Sequence, residues 1–286
     1  MSCPPLPVTT LTGNPFSDRP SSERIPLRPD TLARVVAQVT FNPIIKLRST
    51  EGHTDFQDTI RRQYPHFFID DTEMISEEAG GAQEIVRNST AQFISSDRRS
   101  RATVNDTILS LETSHYTSRE AFLESFAYLL DTFAKMYSPM MTGCGYRYIN
   151  RLDASGSTGK DAETHPVSKY IRSELLGLRA LDFGEDLSIE SDWSRASLYP
   201  PEGHCLLQWG FFGPEQVHDP YYINPVDLDT WVLDIAVGNP NMNFDGDSLV
   251  EGVATKLTSM SERARAVFTW AVTDDYFEDF KRETEQ

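Results

Sequence analysis

This sequence lacks the features that mark membrane and secreted proteins. No apolar run approaches the ~20 residues that a membrane span needs. The 3 cysteines, Cys3, Cys144 and Cys205, are an odd number without paired spacing, which fits a reducing compartment better than a disulfide framework. The first residues show no basic segment followed by an apolar one, so they do not form a secretory signal. These absences predict a cytoplasmic protein that has no membrane partner.

Basic residues are scarce in the second part of the chain. Residues 1–152 hold 16 Lys and Arg against 18 Asp and Glu, whereas residues 153–286 hold 10 against 25. Nearly all of the net charge of −17 therefore belongs to residues 153–286. A surface of this sign repels nucleic-acid backbones and anionic lipids and attracts cationic surfaces. We expect a protein partner with a basic surface, and no nucleic-acid binding through this half.

Recognisable catalytic motifs are also missing. The sequence shows no Ser-His-Asp, Cys-His or paired-Glu signature, and none of its 6 histidines has another at zinc-ligand spacing. The segment 155–160 resembles a phosphate-binding loop, but Ala154 stands where that loop needs its first glycine, and Asp161 stands where it needs Ser or Thr. No cofactor is predicted. These absences weigh against an enzyme, although distant residues can also assemble a catalytic site.

The composition of successive segments predicts four regions. Residues 1–28 form an irregular Pro-rich leader, and residues 29–152 form an N-terminal α+β half. Residues 153–166, which are small and polar, form a loop or linker. Residues 167–286 form an acidic C-terminal α+β half.

Hydrophobic periodicity predicts the main elements. The clearest helix covers 118–137, and clear strands cover 141–152 and 230–237. Other predicted strands lie at about 34–47, 72–78, 88–96, 101–113, 181–193 and 203–213, and other predicted helices lie after Thr54, at 167–177 and at 248–271, the last with a break near 259–261. Direct links between strands predict the α+β class, with antiparallel sheet packed against long helices and two α+β halves in one compact unit.

The strand over 141–152 carries most of the candidate ligand-binding residues. Strand alternation places its two tyrosines on one face and its two arginines on the other. If the arginine face is covered, those charges need acidic partners, which the second half can supply; the alternative is an anion-binding site. The candidate ligand-binding residues are Tyr146, Arg147, Tyr148, Arg151 and Trp209.

Three carboxylates are candidates for a metal site. Asp227 and Asp229 precede the strand over 230–237, and Asp234 lies within it. Together with the neighbouring His218-Asp219 pair, they could offer the oxygen ligands that hard metal ions prefer. Such acids are more often strand ends and turn residues.

Several segments together resemble a known family. They are ARVVAQVTFNPI, AFLESFAYLLDTFAKMYSPMMTGCGYRYINRLD, WVLDIAV and RARAVFTWAVTDDYFEDF, and the resemblance covers residues 27–282. The family is a sporadically distributed, largely uncharacterised group of bacterial and archaeal proteins. It has no agreed catalytic residues to transfer. Its patchy distribution is similar to that of toxin–antitoxin and phage-defence genes.

Three functions are consistent with these observations. The first is a non-catalytic cytoplasmic interaction or regulatory protein, belonging to a toxin–antitoxin or phage-defence system, which docks a basic partner. The second is a receptor for a small molecule, nucleotide or anion, with a cavity between sheet and helix. The third is a metal-dependent hydrolase or nuclease. Homo-oligomer formation through a sheet edge is compatible with all three.

Overall fold

The structure, a computed structural model, describes residues 15–16, 31–77, 83–153, 167–180, 189–242, 244 and 248–278. The predicted leader and linker lie outside the described residues, apart from Pro15, Phe16 and Asp153. None of the helices in the described ranges combines the length and the apolar character that crossing a membrane requires.

Nine strands and three α-helices form the described fold. In chain order they are β1 (Leu32–Phe41), α1 (Thr50–Ile60), β2 (His66–Glu77), β3 (Gln83–Ile94), β4 (Ser100–Val104), β5 (Ile108–Thr113), α2 (Arg119–Tyr137), β6 (Met141–Asp153), β7 (Asp192–Leu198), β8 (His204–Phe212), β9 (Thr230–Asn239) and α3 (Leu249–Ala271).

All nine strands belong to one antiparallel sheet with the order β2-β3-β4-β5-β1-β6-β9-β8-β7. The predicted α+β class with antiparallel sheet is therefore confirmed. Strand β6 pairs with β1 on one side and with β9 on the other, so a single sheet crosses both predicted halves. The predicted packing against long helices is confirmed in part, because α2 with 19 residues and α3 with 23 are the long helices among the described residues.

The three helices cover one side of the sheet, which we call the helix face. Strand alternation turns Val35, Ala37 and Val39 of β1 towards this face, and all three are fully buried. Phe126 and Phe133 of α2 are buried in the same cluster, because their spacing places them on one side of the helix. Burial of this continuous apolar layer supplies the main driving force for folding.

The opposite side of the sheet, which we call the loop face, is partly covered by the loop 213–229 between β8 and β9. A small apolar cluster of Ile149, Val232 and Ile223 lies under that loop and joins it to β6 and β9. Most other side chains on this face are polar or charged. The two faces of one sheet thus carry different chemistry.

Some predicted elements have different boundaries in the structure. The strand predicted over 101–113 is two strands, because Asn105 makes a turn in which its Oδ1 accepts hydrogen bonds from the amides of Thr107 and Ile108 at 2.9 and 2.8 Å. The helix predicted over 167–177 is a series of short 3-10 turns. The strand predicted over 181–193 begins only at Asp192, with 181–188 outside the described residues, and α3 continues through 259–261 without a break.

Candidate functional site

A groove of about 270 Å³ lies on the loop face, where β1, β6, β9 and β8 run side by side. The strand register places Gln38, Gly145, Gly238 and His204 in one row across these four strands. Neighbouring strands lie about 4.8 Å apart, so the row is about 14 Å long from the first residue to the last. Two glycines thus form the floor between two polar side chains.

The sheet does not need glycine at the two floor positions. A Cβ atom added to Gly145 would meet its nearest neighbour at 3.5 Å, and one added to Gly238 would meet its nearest at 3.4 Å. Gly210 of β8 differs, because a Cβ there would lie 2.0 Å from the carbonyl oxygen of Asp192. Backbone packing therefore explains Gly210, whereas a Cβ atom at Gly145 or Gly238 would meet its neighbours at ordinary van der Waals distance.

The next row of the register forms the other wall of the groove. It consists of Val36, Arg147, Ala236 and Leu206, again one residue from each strand. The loop 213–229 adds Tyr222, whose ring centroid lies 4.5 Å from the guanidinium carbon of Arg147. The groove therefore combines an apolar surface with a cation stacked on an aromatic ring.

The charge of Arg147 is matched by two carboxylates. Its Nε donates to Oδ1 of Asp234 at 2.8 Å, and its Nη2 donates to Oδ2 of Asp219 at 3.0 Å. The Asp234 side chain is only 2% exposed, whereas that of Arg147 is 22% exposed. Both acids belong to the C-terminal half, as expected if the arginine face of β6 is covered.

Burial and ion pairing act in opposite directions on the two pKa values of this ion pair. Burial alone would lower the pKa of Arg147, but its hydrogen bonds to Asp234 and Asp219 outweigh burial and raise it. Burial alone would raise the pKa of Asp234, but hydrogen bonds from Arg147 and His218 lower it below its usual value. The pair therefore stays charged near neutral pH.

His218 connects this ion pair to the sheet edge. Its Nε2 lies 3.1 Å from Oδ2 of Asp234, and because a carboxylate can only accept, this nitrogen carries the proton. Its ring stacks on Trp193 of β7 at a centroid distance of 4.6 Å. Nδ1 is buried and has no hydrogen-bond partner among the described residues. His218 thus binds Oδ2 of Asp234, the same oxygen that accepts from Nη2 of Arg147.

A second ion-paired group continues along the loop face. Glu112 of β5 accepts a hydrogen bond from Arg101 at 2.9 Å and lies 3.6 Å from Arg34. The side chains of both arginines are mostly buried. Burial raises the pKa of Glu112 despite these two cations. Arg34 also donates to the carbonyl of Tyr222 at 2.7 Å, and the guanidinium of Arg101 lies 4.2 Å from the ring centroid of Tyr221. Both groups hold the loop 213–229 against the sheet.

The five predicted ligand-binding residues do not share one face. Arg147 lines the groove, and Arg151, on the same face, donates to the carbonyl of Asn224 at 2.9 Å. The rings of Tyr146 and Tyr148 instead belong to the helix-face core, where the Tyr148 hydroxyl lies 2.9 Å from that of Tyr116. Burial raises the pKa of both tyrosines well above its usual value. Trp209 also packs on the helix face.

The three predicted metal ligands do not converge. Asp227 and Asp229 are exposed in the loop before β9, whereas Asp234 is buried against Arg147. Within the described ranges, no three His, Cys, Asp or Glu side chains lie close enough together to hold a metal ion. Asp234 is an ion-pair partner in this structure and not part of an oxygen cluster.

Sequence reasoning missed the glycine floor and most of its surroundings. Gly145 and Gly238 are far apart in sequence, and only the register of β6 with β9 brings them together. A glycine next to the Tyr146–Ile149 segment inside this strand was the available signal, because glycine in a strand interior often marks close approach by a ligand or another backbone. No sequence signal identified Tyr222 or His204.

Comparison with known proteins gives no further assignment. The chain matches no protein-family model and no curated protein.

Proposed function

We propose that this protein is a cytoplasmic receptor for a small planar ligand, which binds in the loop-face groove. The observation that carries the proposal is the pair of floor glycines: their Cβ positions are sterically available, so glycine there serves to keep the groove open. Strand interiors otherwise disfavour glycine. Burial of Cys144 and Cys205 as unpaired cysteines is compatible with a reducing compartment.

The walls of the groove favour an uncharged, flat ligand. The peptide planes of Gly145 and Gly238 offer a flat floor, and Val36 and Leu206 offer apolar contact. Gln38 and His204 stand at opposite ends of the glycine row and can donate or accept hydrogen bonds at the ligand's edges. The proposed ligand is therefore a neutral heterocycle of the nucleobase type.

The charges near the groove argue against a phosphate or other multiply charged anion. Among the described residues that line the groove, Arg147 is the only Lys or Arg, and Asp219 and Asp234 already compensate its charge. An added anion would gain attraction from one guanidinium and suffer repulsion from two carboxylates. We therefore expect inorganic phosphate and free nucleotides to bind more weakly than the corresponding uncharged bases.

The substitution Gly145→Val tests the proposal. Valine fills the floor and has a high strand propensity, so ligand binding should be lost while the free energy of unfolding stays equal or rises by up to ~1 kcal/mol. Calorimetric titration against a panel of neutral heterocycles measures binding, and urea denaturation measures stability. The matched control is Thr103→Val, which adds valine to the same register row three strands away, beyond β1 and β5. Equal binding by Gly145→Val and the unmodified protein would exclude the groove as the site.

A second candidate function is docking of a protein with a basic surface. Glu215, Asp227 and Asp229 are exposed, and none of the described residues forms an ion pair with them. The amide of Glu215 donates to the carbonyl of Val226 at 2.8 Å, which brings the two acidic ends of the loop 213–229 together. A toxin–antitoxin or phage-defence setting belongs to this candidate and rests on the family resemblance alone.

Salt dependence tests the docking candidate. A partner retained by the immobilised protein at low ionic strength should be released as salt increases, because exposed charges are screened within a Debye length of ~8 Å at physiological ionic strength. The triple variant Glu215→Gln, Asp227→Asn, Asp229→Asn should retain less of it, whereas Glu51→Gln, an exposed acid of the N-terminal half, should retain as much as the unmodified protein. Retention that is indifferent to salt would contradict this candidate.

A further inference from the structure

A buried arginine on the helix face binds the polypeptide backbone near the N-terminus. Arg263 of α3 is 0% exposed. Its Nε and Nη2 donate to the two carboxylate oxygens of Glu202, at 3.0 and 3.2 Å, and its Nη1 donates to the carbonyl oxygen of Pro15. The Glu202 side chain is 8% exposed and comes from the turn between β7 and β8. This bidentate pair fixes the guanidinium so that one remaining edge faces Pro15.

An aromatic contact accompanies that hydrogen bond. Phe16 packs edge-to-face on Trp270 with ring centroids 5.6 Å apart. Trp270 follows Arg263 by seven residues, close to two helical turns, so both side chains lie on the same side of α3. One helix side therefore offers a carbonyl-binding group and an aromatic surface at fixed spacing.

The chemistry of proline suits this position. Pro15 is buried, and a buried backbone N–H without a partner is costly. Proline has no N–H, so its burial leaves only a carbonyl to satisfy, and Arg263 satisfies it. A residue with an amide hydrogen in the same place would need a further acceptor.

We propose that Arg263, Glu202 and Trp270 form a peptide-binding site for a proline followed by an aromatic residue, and that Pro15–Phe16 of the same chain occupies it. The site lies on α3 at the helix face and is independent of the groove on the loop face. The bound segment is exchangeable: a peptide of the same chemistry, supplied in trans, can take its place.

The connection to the rest of the chain allows this exchange. Residues 17–30 link Phe16 to Thr31 and can span up to about 50 Å. Thr31 itself lies near the end of α3, because its hydroxyl is 2.8 Å from that of Tyr276, whose ring packs on Phe268. A tethered segment of this length acts at an effective concentration of about millimolar, so a free peptide competes only when it is abundant or when the tethered segment is weakened.

A labelled peptide with the sequence of residues 10–20 tests the proposal by fluorescence anisotropy on full-length protein. The peptide should bind the Phe16→Ala protein, and its apparent affinity for the unmodified protein should be at least about tenfold weaker, because the tethered segment competes. A control peptide carrying the same Phe→Ala change should not bind. No binding to the Phe16→Ala protein, or equal binding to both proteins, would overturn the proposal.

A second measurement needs no substitution in the protein. At millimolar concentration the same peptide should displace the tethered segment of the unmodified chain and accelerate tryptic cleavage after Arg24, while the Phe→Ala peptide should not. A cleavage rate that neither peptide changes would overturn the proposal. A dimer of the unmodified protein that the Phe16→Ala substitution converts to monomers would also overturn it, because the bound segment would then come from a second copy of the chain.

Discussion

At the scale of single residues, the most consequential contact on the loop face is the buried pair of Arg147 and Asp234. Removing one partner of a buried ion pair leaves the other charge without compensation, which typically costs about 3–5 kcal/mol. Asp234→Ala should lower the free energy of unfolding by about that amount, measured by urea denaturation, because the Asp234 side chain is 2% exposed. The double variant Arg147→Met, Asp234→Leu should recover most of the loss.

The control for this prediction is an exposed pair. Lys46 and Asp55 lie 2.8 Å apart, but their side chains are 57% and 62% exposed. Asp55→Ala should change the free energy of unfolding by no more than about 0.5–1 kcal/mol, because water screens such pairs. If Asp234→Ala costs no more than Asp55→Ala, the loop-face ion pair is not the stabilising contact described above.

His53 makes the stability of the protein dependent on pH. The side chain is fully buried, and burial lowers its pKa below the usual 6.5, although backbone groups of Ser89 and Leu47 partly offset the effect. As pH falls through 6.5, the unfolded chain takes up a proton that the folded chain does not, so the free energy of unfolding decreases. Above pH 6.5, His53 should make no pH-dependent contribution to the free energy of unfolding.

Urea denaturation of the unmodified protein and of His53→Leu between pH 8 and pH 5 measures the effect. The unmodified protein should lose stability on acidification more steeply than the variant. His115, an exposed histidine, provides the control, and His115→Leu should keep the steep decline. Identical pH profiles for His53→Leu and the unmodified protein would contradict this assignment.

Sequence reasoning located part of the candidate site at this scale. Arg147 and Asp234 were both named, and the alternation of β6 placed the arginines opposite the tyrosines, as the structure has them. His218 and Asp219 were predicted to lie near Asp234 as metal ligands, and they do lie there, but as partners in the ion pair of Arg147 and Asp234. Tyr222 comes from the same loop, whose path no hydrophobic period describes. Pairing between residues so distant in sequence depends on register, which sequence periodicity alone does not fix.

At the scale of elements, helix α2 is the clearest agreement between sequence and structure. The predicted helix covered 118–137, and α2 begins at Arg119 with Ser118 as its N-cap. The Ser118 hydroxyl accepts a hydrogen bond from the amide of Ala121 at 3.1 Å. Ser118→Ala should therefore lower the free energy of unfolding by about 1 kcal/mol, measured by thermal or urea denaturation.

Ser49 provides the comparison for this cap. It precedes α1, but its side chain makes no cap hydrogen bond and donates instead to the carbonyl of Lys46 at 3.3 Å. Ser49→Ala should cost clearly less than Ser118→Ala. If both substitutions lower the free energy of unfolding equally, the hydrogen bond from Ala121 to the Ser118 hydroxyl does not stabilise α2.

The elements that sequence reasoning misjudged share a physical cause. The single strand predicted over 101–113 contains a turn that depends on one asparagine side chain, and the helix predicted over 167–177 is too short to be stable without tertiary contacts. Amphipathic helices and buried strands can be predicted from the periodicity of hydrophobic residues. Tight turns and 3-10 segments depend on single side chains or on neighbours distant in sequence.

At the scale of the whole molecule, the shared sheet predicts that both halves unfold together. All four tryptophans, at positions 193, 209, 231 and 270, lie in the C-terminal half, so their fluorescence reports on that half alone. Leu109→Ala removes a fully buried side chain from β5 of the N-terminal half and should cost about 2–5 kcal/mol. The tryptophan-detected transition in urea should shift by the same amount as the transition seen by circular dichroism.

Independent halves would give a different result. In that case Leu109→Ala would move only part of the circular dichroism signal and leave the tryptophan transition where it is in the unmodified protein. The pairing of β6 with both β1 and β9 argues for the single transition.

The proposed receptor function depends on a ligand lying over Gly145 and Gly238. The most direct test is a titration of deuterated, ¹⁵N-labelled protein with neutral heterocycles, followed through amide chemical shifts. We expect a binding heterocycle to move the amide signals of Gly145 and Gly238 together with those of Val36 and Tyr222. In the Gly145→Val protein, the signals of Gly238, Val36 and Tyr222 should not move. A panel in which every binder shifts residues elsewhere and leaves both glycine signals unchanged would contradict the account.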